Sequence, residues 1–135
     1  MKENGIVQPD ENLFAVGYSL GGNILGRYLA KNQANVPFKK AICIGPPIDL
    51  KASSENIENK LWGIYSKALA DYMKEAWENH RSKFMKFQSK HGIDMDLIIS
   101  KCKTLWDIDH HFTSKIHGYE NGHHYYENAG SIDLL

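Results

Sequence analysis

The sequence predicts an α/β protein that opens with a parallel βαβ piece and continues as helices. Two short, uninterrupted apolar runs, Leu13-Phe14-Ala15-Val16 and Ala41-Ile42-Cys43-Ile44, flank a stretch with helical spacing at Leu20, Ile24, Leu25, Tyr28 and Leu29. Beyond residue 50 the chain reads as about eighty residues of helices with an aromatic-rich, glycine-punctuated tail, and no further strand signal occurs up to Leu135. Among the 135 residues, 42% are hydrophobic and 24% charged, a composition that packs a core rather than staying disordered. Sixteen basic residues balance sixteen acidic ones without forming blocks, so no polyanion-binding surface and no nucleic-acid partner is expected.

Residues 1–12 are polar, contain Gly5, Pro9 and Asp10, and read as a loop. The first apolar run has no alternation, which fits a strand buried on both faces, and Gly17 ends it. A helix follows from Leu20, residues 32–37 break it, and Gly45-Pro46-Pro47 closes the second strand. Strand, helix and strand within some thirty residues imply a right-handed parallel crossover. Residues 61–77 then carry a sustained apolar stripe on a helix of about five turns, including Leu61, Trp62, Tyr65, Leu69, Tyr72 and Trp77. Its polar residues mix Lys and Glu, so core packing is expected of the stripe rather than a membrane surface.

Residues 81–90, with Phe84, Met85 and Phe87, predict a second helix stopped at Gly92. Asp96 is the expected cap of a third helix over Leu97, Ile98 and Cys102, and Thr104 with Asp107 has the spacing of a capping box. A two-stranded parallel sheet covers neither its faces nor its edges, so these residues are expected to be part of a larger α/β domain. Cys43 and Cys102 make no disulfide framework and no zinc pattern, which points to a reducing compartment. With no basic-then-apolar leader at Met1, the expected location is cytoplasmic or membrane-associated, not secreted.

The chemistry concentrates in Gly17-Tyr18-Ser19-Leu20-Gly21, a GxSxG between a strand and a helix, followed by Gly22. Glycines on both sides allow a strained serine backbone and a close strand–helix approach. Ser19 is thereby the expected nucleophile, with the Leu20 backbone N–H as oxyanion donor at the positive end of the helix. The competing structural reading has Ser19 serving only as a helix cap. Seven histidines follow, at 80, 91, 110, 111, 117, 123 and 124, yet none follows a strand signal, so none is assigned as the base. Asp107, Asp109, His110, His111, His117, His123 and His124 are dense enough to weigh as a metal site. Their spacing matches no zinc motif, and no metal or organic cofactor is expected.

Beyond the elbow motif, the chain resembles the YheT-like branch of the α/β-hydrolases, which includes ABHD-type lipid esterases and phospholipases. The resemblance is carried by residues 17–23, by Pro47-Ile48-Asp49-Leu50, and by Asp109, Thr113, Gly118, Tyr119, Tyr125 and Tyr126. It departs from the family at Trp106, in place of an arginine, at Ile108, in place of a phenylalanine, and at Gly130, in place of a serine. The resemblance implies a partial α/β-hydrolase fold. Residues 1–50 would form a core piece with the nucleophile elbow, 51–130 a helical cap, and 131–135 the start of a return to the core.

It further implies a serine hydrolase of carboxylic esters of lipids, working through an acyl-enzyme on Ser19. The triad acid and histidine would follow residue 135, leaving these residues inactive alone. Membrane association is expected through segments upstream of the elbow. The cap residues Leu61, Trp62, Tyr65, Leu69, Tyr72 and Trp77 are expected to pack on the core and line an acyl pocket. Two other function classes stand beside this one: a non-catalytic helical interaction module, and a His/Asp metal-binding protein.

Overall fold

The computed structural model describes residues 12–135, and the expected loop at 1–12 lies almost wholly outside them. Two compact units are present, one formed by residues up to Asp49 together with Gly130–Leu135, the other by Leu50–Ala129.

In the first unit, β1 (Phe14–Tyr18) and β2 (Lys40–Ile44) form a two-stranded parallel sheet connected through α1 (Leu20–Asn32). The register pairs Val16 with Ile42 and Tyr18 with Ile44, and Lys39 N–H extends it by donating to Leu13 O at 2.7 Å. Gly17, against α1, is buried, while Phe14, Val16, Tyr18, Ile42 and Ile44 are exposed on the opposite face. The expectation of strands buried on both faces is therefore corrected. Uninterrupted apolar sequence marks what a strand is able to bury, whereas α1 covers only one face of the sheet. Ser131 and Ile132 N–H both donate to Ile48 O, and the Arg27 guanidinium donates to Gly130 O. The last residues are thus tied into the unit that holds the sheet.

The second unit is helical: α2 (Leu50–Asn59), α3 (Ile64–Asn79), α4 (Arg81–His91), α5 (Met95–Lys101), α6 (Leu105–Ile108), α7 (Ser114–Ile116) and α8 (Gly122–Ala129). A π-helical turn, Asp109–Thr113, joins α6 to α7. Gly92 ends α4 in the left-handed conformation at φ 63°, as its position predicts. Thr104 and Asp107 form the expected capping box. The cap of α5 is Asp94, whose side chain accepts from Leu97 N–H; Asp96 lies inside the first turn, so that assignment is corrected by two residues.

The helix expected over residues 61–77 does not begin at Leu61. Leu61, Trp62 and Gly63 all have positive φ, at 50°, 54° and 69°, and this left-handed turn separates α2 from α3. The stripe expected to pack inward does so at Trp77 but is corrected at most of its other large residues. Ser66, Ala70 and Trp77 form the buried face of α3, while Leu61, Trp62, Tyr65 and Tyr72 are exposed. A polar knot accounts for the choice. Glu58 Oε1 on α2 accepts from Ser66 Oγ at 2.5 Å and from Trp106 N–H at 3.1 Å, and Ser66 Oγ accepts from Leu105 N–H at 2.8 Å. The first amides of α6 thus come within hydrogen-bonding distance of α3, a proximity only a small side chain permits.

Around this knot pack Ala70, Trp77, Ile93, Met95, Ile98, Cys102, Ile108 and Phe112, with the Trp77 and Phe112 rings 4.6 Å apart. A second cluster gathers Leu50, Tyr125 and Tyr126 against Trp106 and Tyr119. Trp106 has its place because position 122 is glycine, where a Cβ would stand 2.9 Å from the indole. Ser66→Ala leaves the Leu105 N–H without its acceptor and Glu58 Oε1 with only the Trp106 N–H as donor. It is expected to lower stability by about 1–3 kcal/mol in urea unfolding, with an unchanged m-value.

Candidate functional site

Ser19 stands at the turn between β1 and α1 with φ 48° and ψ −126°, a conformation that L-residues rarely adopt. Its backbone is held from both sides. Ser19 N–H donates to Ile44 O at 3.0 Å, and Ser19 O accepts from Gly22 N–H at 2.9 Å and Asn23 N–H at 3.2 Å. The hydroxyl makes no capping hydrogen bond and the residue is exposed, so the reading of Ser19 as a mere helix cap is set aside. With the amides of Gly22 and Asn23 taken by the Ser19 carbonyl, those of Leu20 and Gly21 are the first-turn donors that α1 itself does not use.

The glycines differ in what they do. A Cβ on Gly17 would fall 2.6 Å from Gly21 O and 2.8 Å from Gly22 Cα, so only glycine fits there. A Cβ on Gly22 would meet Gly17 O at 3.0 Å and Pro46 Cβ at 3.1 Å, whereas one on Gly21 would meet nothing within 4 Å. The steric need at the end of the motif therefore falls on Gly22. Gly26 faces Ser131, whose Oγ would be 3.8 Å from an added Cβ, rather than the sheet.

None of the seven histidines belongs to the unit that carries Ser19; all lie between residues 80 and 124. Nor do the His/Asp residues of the metal reading converge. Asp107 Oδ2 accepts from the Lys103 and Thr104 amides, His124 Nδ1 accepts from Glu120 N–H, and the His110 ring packs on Trp106. Burial, then neighbouring His111 and Lys115, pushes His110 below the usual imidazole range, opposing a second charge there. Among the described residues, no three His, Cys, Asp or Glu side chains group as a metal site. A cleft of about 610 Å³ in the helical unit is lined by His91, Ile93, Leu97, Ile98, Cys102 and His111, and does not include Ser19.

Sequence reasoning named Asp109 but missed its role. It is buried in the π-helical turn and accepts a hydrogen bond from Tyr126 Oη at 2.8 Å. Burial pushes its carboxyl above the usual range despite the hydrogen bonds from Thr113 and Tyr126, and the same burial, with the Asp109 charge, pushes the Tyr126 phenol up. A buried carboxylate seventeen residues before a buried tyrosine has no local sequence pattern to announce it.

The chain is 30% identical over 121 residues to YheT of Escherichia coli, covering 90% of this chain and 34% of that protein. It is 30% identical over 128 residues to phospholipase ABHD3 of Homo sapiens, covering 94% and 30% respectively. It is 28% identical over 129 residues to monoacylglycerol lipase of Saccharomyces cerevisiae, covering 94% and 28%. The chain is homologous to the YheT- and ABHD-type α/β-hydrolases. It spans roughly a quarter to a third of the length of the curated relatives it matches. No family model and no solved structure matches it. The relatives are esterase- and lipase-type hydrolases, which supports a hydrolase family for this chain.

Two outcomes are expected here. Gly17→Ala lowers stability by about 2–3 kcal/mol because the clash is with backbone, while Gly21→Ala is neutral or stabilising by up to ~1 kcal/mol, both read by thermal unfolding. For Asp109, the raised folded-state pKa favours the un-ionised form. Its contribution to stability is full below the unfolded value of about 3.9 and is lost as pH rises through the raised folded value. Asp109→Asn, which keeps an acceptor for Tyr126, is therefore expected to gain stability relative to the parent between about pH 4 and pH 7, measured by urea unfolding across that range.

Proposed function

We propose that Ser19 is the nucleophile of a serine hydrolase acting on carboxylic esters of lipids. The observation that carries this is a serine at positive φ, exposed and unused as a cap, held at a strand-to-helix turn by a backbone bond to the neighbouring strand. Positive φ at a non-glycine residue costs on the order of 1–3 kcal/mol, and here it is maintained by the contact of Gly17 with Gly22. In the proposed reaction Ser19 Oγ loses its proton to a base as it attacks the ester carbonyl. The alcohol leaves, and water then hydrolyses the acyl-enzyme to free acid and serine. Leu20 N–H supplies one oxyanion donor, reinforced by the positive end of α1.

On this reading residues 1–50 are a core piece of a partial α/β-hydrolase fold, 51–130 a helical cap, and 131–135 a return towards the core. The lipid-ester class rests on relatives named as a phospholipase and a monoacylglycerol lipase. Base and acid are assigned to no residue of this chain, since the unit holding Ser19 contains no histidine.

A fluorophosphonate probe tests both parts. In the natural gene product it is expected to label Ser19, with labelling abolished in Ser19→Ala; no label at Ser19 overturns the nucleophile assignment. In the isolated 135 residues, labelling is expected to be slower by at least about a thousandfold, the order of what a positioned base and orienter supply. Fast labelling there would place a base within these residues and overturn the incomplete-triad reading.

A further inference from the structure

Two imidazoles of the helical unit accept hydrogen bonds from the same short turn. His110 Nδ1 accepts from Gly122 N–H at 3.4 Å, and His124 Nδ1 accepts from Glu120 N–H at 3.3 Å. Neither amide has another acceptor among the described residues. Gly122 is buried and opens α8, so its N–H is one of the first-turn donors that a helix leaves unmatched. Asn121 serves the same helix end, its Oδ1 accepting from His124 N–H at 3.0 Å. Position 122 comes this close to His110 because it has no side chain: a Cβ there would lie 2.9 Å from the Trp106 indole and 3.2 Å from His110 Cα.

The turn matters because of what α8 carries. Tyr125 and Tyr126 are buried with Leu50 against Trp106, and Tyr126 Oη donates to Asp109. Adjacent residues of the π-helical turn thus hold α8 twice, His110 at its start and Asp109 at Tyr126.

Only a neutral imidazole is able to do this. An imidazolium has a proton on both nitrogens and no lone pair to offer, and at Gly122 it would also face the positive end of α8. Burial disfavours the charged form of His110, as do His111 on its own turn, Lys115 on α7 and His123 on α8, while Asp107 on α6 favours it. From α2, Lys51, Glu55 and Glu58 share a small cleft with Trp106, His123 and Tyr126. Around His124 stand His123, the Tyr119 ring, Glu120 and, a turn along α8, Glu127, and Lys115 Nζ donates to Glu120 O. The neutral-form contribution of His110 to stability is full above the unfolded value of about 6.5 and is lost as pH falls through the lower folded value. Asp109 has the opposite sign, so only a readout local to the turn separates the two.

We propose that His110 and His124 form an acid-operated latch: unprotonated, they hold the turn at residues 120–122 and the start of α8 against the π-helical turn, and protonated, they release both. The latch lies wholly in the helical unit and does not depend on the nucleophile reading of Ser19.

Amide hydrogen exchange followed by NMR on the 135-residue chain tests it, with protection corrected for the intrinsic pH dependence of exchange. Between about pH 7.5 and about pH 5, protection at Gly122 is expected to fall at least about fivefold in step with titration of the His110 ring, while Ile98 and Ile108 in the core keep theirs. The Glu120 amide resonance is expected to move upfield as the His124 ring titrates. His110→Asn, whose Oδ1 stands near the place of Nδ1 and does not titrate, is expected to keep Gly122 protected at both pH values. His110→Phe keeps a ring beside Trp106 but offers no acceptor, and is expected to leave Gly122 at the faster rate at both.

The latch is overturned if Gly122 protection is unchanged while the His110 ring titrates, or if that ring stays neutral down to about pH 5. It is equally overturned if His110→Asn retains the pH dependence of the parent, or if the Glu120 amide stays put as the His124 ring titrates. Circular dichroism reports whether His110→Phe folds; should it not, the parent and His110→Asn decide.

Discussion

The close approach of β1 to α1 at Gly17 and Gly22 is the constraint from which the local architecture follows. Strand and helix meet with no room for a Cβ at position 17 and barely room at 22. The single residue that turns the chain between strand direction and helix axis must then take a conformation unusual for an L-residue, and Ser19 does so at φ 48°. Bonds from Ser19 N–H to Ile44 O and from the Gly22 and Asn23 amides to Ser19 O stabilise that conformation. The hydroxyl is left at the surface with no structural duty, and that is the property a nucleophile requires.

The helical unit rests on a different constraint, the knot of Glu58, Ser66 and the first amides of α6. It orients α3 by bringing a helix terminus against its small side chains. A terminus buried without partners is costly, so the face able to satisfy it packs inward even though larger apolar residues lie on the other side. The exposure of Leu61, Trp62, Tyr65 and Tyr72 follows from that orientation.

Much of this was legible in the residues. The βαβ order, the elbow motif, the Thr104–Asp107 capping box and the Gly92 stop are local: each depends on a few neighbouring residues and on backbone preferences those residues impose. The left-handed turn at Leu61–Trp62–Gly63 was not, because two of its three residues disfavour the conformation and helical spacing continues on both sides of it. The shift of the α5 cap from Asp96 to Asp94 shows the same limit at smaller scale, since two aspartates two residues apart offer equivalent chemistry.

By itself, the sequence determined the strand–helix–strand order followed by helices, where the nucleophile candidate sits, and that two strands leave a sheet incompletely covered, because these follow from periodicity and steric preference along the chain. Tertiary structure alone decided which face of α3 is inside, that Gly22 rather than Gly21 carries the close contact, and that Asp109 is buried beneath Tyr126. Those outcomes depend on distances between atoms far apart in the chain, and hydrophobicity read in order contains no such distances.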